Sequence, residues 1–151
     1  MRSTGWLAAT PIEFQDTLLA NCDFGHVDSG TQLYMAGDDE SDSLIGIAAG
    51  RCSVWLQPNN DVARLIHIFG AGGWTGDLAA LMGGPRRVMI KTVGEVWRFR
   101  CLKPAIQATT TSNPATWQWF SLLFSRNFEI ALSAIDALLS SNPEERIAKT
   151  L

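Results

Sequence analysis

In the stretch GDLAALMGGPRRVMI (residues 76–90), a Gly-Asp pair opens what reads as a short helical turn. A Gly-Gly-Pro reversal follows, and two arginines then lead into an apolar, β-like run. If residues 77–82 make one turn of helix, its free N–H groups converge at its N-terminus, where they and the helix dipole favour an anion. Gly76 lets the backbone turn tightly and approach a ligand, while Asp77, Leu78 and Ala79 form the start of the turn. The Asp77 carboxylate can accept hydrogen bonds, for instance from a hydroxyl pair on a sugar. The reversal returns Arg86 alongside the turn, where a guanidinium grips two phosphate oxygens at once. Plainer arrangements use the same residues: Asp77 as a cap, Arg86 and Arg87 as solvated strand-edge charges, or an Arg86–Asp77 ion pair with no ligand.

The surrounding texture, from about residue 24 to residue 100, is β-like. QLYMA, SLIGIAAG, RCSVWLQ, VARLIHIF, RVMIKT and EVWRFR are rich in β-branched or aromatic residues, and DSGT, AGDDESD, QPNND and GAGGWTG between them carry turn chemistry. Cys52, Val54 and Leu56 alternate with Ser53 and Trp55, the pattern of a half-buried strand. Short strands at this spacing predict a sandwich or barrel-like roll, with QPNND at a hairpin tip.

Helices flank the roll. TPIEFQDTLLANC places Thr10 as N-cap, Pro11 at the first helical position and Glu13 to complete a capping box. LKPAIQATTTS predicts a short helix around Pro104. NPATWQWFSLLFSRNFEIALSAIDALL predicts a long one, with Asn113 as cap and Pro114 at its start. Along it Trp117, Phe120, Phe124, Phe128, Ala131, Ile135 and Leu138 recur at steps of three and four, a heptad-like stripe. Trp119, Leu123, Ile130 and Ala134 make a second apolar ridge. One face suffices to dock a helix on the roll, so two predict a partner helix, hence a homodimer through Trp117, Phe120, Phe124, Phe128, Ile135 and Leu138.

Composition bounds the function. At 151 residues, 46% hydrophobic and 18% charged, the chain reads as one globular domain, and its net charge of −3 opposes a broadly basic nucleic-acid surface. No apolar run approaches the ~20 residues that span a bilayer, and no secretory signal opens the chain, so no membrane role and a cytoplasmic location are expected. Cys22, Cys52 and Cys101 are odd in number and widely spaced, and His26 and His67 lack ligand spacing. Neither a metal site nor structural disulfides are therefore expected. No nucleophile–base pair stands out. GAGGWTG puts Thr75 at the sixth position of a dinucleotide fingerprint, so an enzyme is not expected.

The order of these elements, with GDLAAL and GGPR at their spacing, LYMAGD followed by DSLIGIAAGRCSV, and the final RIAKTL, resembles the Crp/Fnr family of bacterial regulators across essentially the whole chain. The resemblance implies a mainly β fold with flanking helices: a double-stranded β-helix (jelly-roll) domain of cyclic nucleotide-binding type. Residues 1–112 would be the sensor, 113–140 a dimerisation helix, and 141–151 the hinge and first residues of a helix-turn-helix domain whose remainder is absent. DNA would then be bound only through that missing part.

In family members that bind cyclic AMP or cyclic GMP, the pattern is Gly-Glu, a short helix, then Arg followed by Ser or Thr and Ala. Gly76 matches, Asp77 is a shortened Glu for the ribose hydroxyl, and Leu78 and Ala79 offer helix amides. Arg86 matches the phosphate ligand, Arg87 stands where the hydroxyl belongs, and Val88 stands for Ala. Facing the base from the long helix would be Asn127, Ala131 and Leu132, of which Ala131 and Leu132 cannot hydrogen-bond a base through their side chains. The expected function is a sensor that binds a cyclic nucleotide or related small anion and signals through the long helix. The alternative is a degenerate roll that binds a non-nucleotide effector or none.

Overall fold

The computed structural model describes residues 2–38, 43–57 and 62–139. Among these residues the chain forms α1 (Ile12–Ala20), β1 (Cys22–Val27), β2 (Gln32–Tyr34), β3 (Ser43–Leu56), β4 (Arg64–Gly70) and β5 (Trp74–Thr75). A π-helical turn (Leu78–Met82) leads to β6 (Met89–Leu102), α2 (Lys103–Ser112), a 3₁₀ turn (Pro114–Thr116) and α3 (Trp117–Leu139). All pairings are antiparallel: the sheet runs β1-β6-β3-β4, with β2 added on β6 and β5 on β3. This is the expected roll between helices.

Two pairs of runs read as separate strands prove continuous. SLIGIAAG and RCSVWL form β3, and MIKT and EVWRFR lie in β6; each strand is 14 residues long. Their shared ladder shifts register between Ile47 and Arg51, where Ala49 faces Trp97 but Arg51 faces Val93. Gly50 and Gly94 adopt φ values of 90° and 79° at this step. A Cβ on Gly50 would lie 2.3 Å from the Glu95 carbonyl oxygen. Glycine therefore lets both strands bend without ending, and each serves two limbs of the roll. Leu56 opposes Arg64, as a β3–β4 hairpin requires, while most of the QPNND tip lies outside the described residues. The expected alternation in β3 is incomplete, because Ser53 is buried beside Cys52: its hydroxyl donates to the Lys91 carbonyl at 3.0 Å and accepts from Trp55 Nε1 at 2.9 Å.

The cap of α1 also differs. Thr10 Oγ1 donates to the Leu7 carbonyl at 2.8 Å, closing the short turn before it, and Pro11 takes the N-cap position. Proline has no side-chain oxygen, so the helix starts without a side-chain cap. Before the long helix Asn113 does cap, its Oδ1 accepting from the Ala115 amide at 3.2 Å, but the element it caps is the 3₁₀ turn that precedes α3.

Two apolar clusters hold the fold. One fills the roll with Tyr34, Ile45, Ile47, Cys52, Ile90 and Val96. The other joins roll to helices through Leu18, Leu44, Ile106, Leu123 and an aromatic group. Trp6 sits at the centre of that group, with ring centroids 5.9 Å from Phe14, 6.1 Å from Trp74 and 6.1 Å from Phe120.

That packing divides α3 into two faces. Phe120, Leu123, Asn127, Ile130, Ala134 and Ala137 turn toward the domain, whereas Trp117, Phe124, Phe128, Leu132, Ile135 and Leu139 are exposed. Phe120, expected on the dimer stripe, is 0% exposed because it fills the space between Trp6 and Phe14. Ala131 is exposed as well. Leu138 lies outside the residues whose side chains are described, as do residues 141–151.

Candidate functional site

Residues 76–86 fold as the sequence indicates, but their polar groups turn toward one another. Gly76 has φ 90° and its carbonyl accepts the Ala80 amide at 2.9 Å, starting the turn. A Cβ at Gly76 would lie 2.1 Å from Arg86 Nη1 and 2.8 Å from the Ser43 carbonyl oxygen. What approaches this glycine so closely is the chain's own guanidinium. Gly83 and Gly84, at φ 82° and 87°, make the reversal that brings Arg86 there.

Arg86 is only 4% exposed. Its Nη1 donates to the Gly76 carbonyl at 2.9 Å and its Nη2 to the Ser43 carbonyl at 2.6 Å. The guanidinium carbon stands 4.2 Å from the centre of the Tyr34 ring, a cation–π contact that helps offset burial of the charge. The Tyr34 hydroxyl hydrogen-bonds Thr75 Oγ1, and burial pushes its pKa up to about 12. Arg86 is thus the pin that ties the turn to β3 and β2.

Arg87 does not join it. It lies in the bend before β6 and is exposed, while Arg86 is buried. The site as read from sequence therefore holds one arginine, and its place for a hydroxyl residue is filled by a side chain aimed at solvent.

Asp77 is 8% exposed. Burial pushes its carboxyl above the ordinary aspartate value, opposed by hydrogen bonds from Asn127 and from the Asp77 and Leu78 amides, and by the Arg86 charge. Asn127 Nδ2 donates to Asp77 Oδ1 at 2.9 Å and lies 3.2 Å from the Trp74 carbonyl oxygen, which joins α3 to the turn. Leu78 is exposed and Ala79 buried, so Ala79 serves packing. Of the three α3 residues expected against an effector, Asn127 lies beside Asp77. Ala131 and Leu132 belong to the exposed face.

Between the turn and α3 lies a cavity of about 310 Å³, walled by Asp77, Leu78, Leu81, Met82, Trp117 and Phe124 among others. A larger one of about 580 Å³, between Trp6, His67 and the far side of α3, includes neither Asp77 nor Arg86. Among the described residues no three His, Cys, Asp or Glu side chains cluster to hold a metal ion. No described helix is long and apolar enough to cross a membrane.

The sequence reading missed two contributors. Ser43 and Tyr34, far from the arginine in sequence, complete its surroundings, and nothing in their local pattern marks them. Trp6 was also unremarked, although its isolation in MRSTGWLAAT was a usable signal, since a lone tryptophan in a short segment gains most by docking.

No family model matches the chain, and no curated relative matches it in sequence. Solved structures do match. The Thermus thermophilus Catabolite Activator Protein superposes with a TM-score of 0.75 at 18% identity, covering 89% of this chain and 63% of that one. The N-terminal domain of a transcriptional regulator from Streptomyces coelicolor A3(2) gives 0.69 at 19% identity, covering 85% and 91%. The regulatory domain of Toxoplasma gondii PKA, solved with cAMP, gives 0.62 at 19% identity, covering 71% and 40%. The chain thus spans less than two thirds of the Thermus protein but nearly all of the Streptomyces domain. In fold, this chain is an antiparallel β-roll with a C-terminal helix, the architecture that these neighbours share.

Proposed function

We propose that this chain is the effector-sensing and dimerising part of a Crp-like transcriptional regulator, with residues 1–112 as sensor and the helix from residue 113 as dimerisation element. The effector is a small anion of cyclic-nucleotide type, and DNA is reached through a further domain. The observation that carries this reading is the 2.9 Å bond from Asn127 to Asp77. It couples the candidate pocket to the helix whose opposite face exposes Trp117, Phe124, Phe128, Leu132 and Ile135. A ligand whose hydroxyls claim Asp77 must share or displace Asn127, so its binding free energy differs between two positions of α3. Such a difference is what shifts a conformational population, and no chemistry on the ligand is required. A phosphate would compete with the Gly76 and Ser43 carbonyls for the Arg86 fork.

A second reading is supported by that competition and by the outward course of Arg87: the roll binds no nucleotide and acts as a dimerisation scaffold. Calorimetric titration with cyclic AMP and cyclic GMP separates the two. Micromolar binding that is weakened by Arg86→Lys, which keeps the charge and loses the fork, supports the first. Absence of heat with both nucleotides, for protein shown to be folded by circular dichroism, removes the nucleotide and leaves the scaffold.

A further inference from the structure

Cys22 and Cys101 lie 79 positions apart in sequence, yet β1 and β6 pair them directly opposite one another. Directly opposed residues of an antiparallel pair stand about 4.5–5.5 Å apart between Cα atoms. A disulfide spans about 4.4–6.8 Å. Side-chain direction also agrees, since opposed residues project to the same face of the sheet. Cys22 Sγ donates to the Leu18 carbonyl at 3.1 Å, and neither Cys22 nor Cys101 is held in a disulfide.

The register is held firmly on either side of the pair. Asp23 faces Arg100 and accepts from its Nη2 at 3.3 Å; Phe24 faces Phe99, with ring centroids 4.8 Å apart. Phe24 also stacks on Trp97, at 5.3 Å and 16°. A one-residue slip would break all of these together, so the sulfurs stay opposed. Cys52 stands apart in the roll cluster.

The geometry points to Cys22 and Cys101 as an oxidative modification site: a vicinal dithiol that closes to a cross-strand disulfide. Cys22 is half-buried and Cys101 fully buried, so Cys22 is the sulfur that an oxidant reaches. With a hydroperoxide, Cys22 takes one oxygen to become a sulfenic acid, and water or an alcohol leaves. Cys101 sulfur then attacks the Cys22 sulfur; the S–S bond forms, the S–O bond breaks, and hydroxide departs with the Cys101 proton as water. In total, two thiols lose two protons and two electrons, and the peroxide is reduced by two electrons.

The neighbouring Cys101 sulfur and burial push the Cys22 thiol up, and a thiol kept protonated reacts slowly. The expected response is therefore to excess oxidant. The link would join the end of α1 to the start of α2, since Cys22 follows Asn21 and Cys101 precedes Lys103 by two residues. This inference does not depend on any effector.

The test treats the full chain with excess diamide, an azo oxidant that accepts two hydrogens from two thiols. Titratable thiols, counted after denaturation, should fall from three to one, with a protein mass lower by two hydrogens. Peptide mapping should join Cys22 to Cys101, and dithiothreitol should reverse the change. Cys52→Ala should still lose two thiols, and Cys22→Ser should lose none. Retention of all three thiols in folded protein, a link through Cys52, or a link only between two chains would overturn the proposal.

Discussion

Gly76 is the residue on which the candidate site turns. Its φ of 90° lies where L side chains are strained, and a Cβ would collide with the Arg86 guanidinium and the Ser43 carbonyl. Gly76→Ala should cost about 2–4 kcal/mol, from backbone strain plus displacement of a packed side chain, measured as the loss in urea-unfolding free energy. A change below about 0.5 kcal/mol, the range of surface substitutions, would show that the turn does not hold Arg86 as described. Asp77 makes a prediction in pH. Burial lifts its folded-state pKa above the ordinary aspartate value, so the native state keeps the proton longer than the unfolded chain. Its contribution is therefore most favourable below the unfolded value, declines as pH rises through the raised folded value, and then levels off. Asp77→Asn carries no titrating group there, so its urea midpoint should decline less over that window. Equal declines in the two proteins would exclude the shift.

At the scale of the element, α3 explains how a helix can look apolar on two sides. The ridge of Leu123, Ile130 and Ala134 is the docking face, joined by Phe120, while Phe124 and Phe128 stack in the open at 6.4 Å and 8°. Exposed aromatic and aliphatic side chains along a helix of 23 residues form a continuous apolar strip, the kind of surface that a second helix covers. Sedimentation should show a dimer for the native chain and a monomer for Phe124→Glu, because a buried unpaired carboxylate is costly at such a seam. A native chain that stays monomeric across the micromolar range would rule out this face as a self-association surface. Heptad spacing correctly announced two faces. It could not tell which residues belong to which, because Phe120 and Phe124 differ by one turn and only the position of Trp6 decides that Phe120 goes inside.

Across the whole molecule, Trp6 ties the N-terminal segment, α1, β5 and α3 into one aromatic cluster. Trp6→Ala should lower the unfolding free energy by about 3–5 kcal/mol, with loss of near-ultraviolet dichroism from the cluster. An unchanged spectrum would place Trp6 outside the core. The β-rich texture, the flanking helices, the short turn after Gly76 and the Asn113 cap were legible in the sequence, because each is set by local chemistry: periodicity, glycine freedom, proline placement and capping. The bends that merge short runs into β3 and β6 were less so, since Gly50 and Gly94 signal a kink as readily as an end. Site geometry was decided only by the tertiary structure. Arg86 binds Ser43, 43 residues away, Asp77 binds Asn127, 50 residues away, and Cys22 meets Cys101 across the sheet. A residue's type states what it can bind. Which partner it meets depends on long-range packing, where burial obliges each polar group to find a partner within reach.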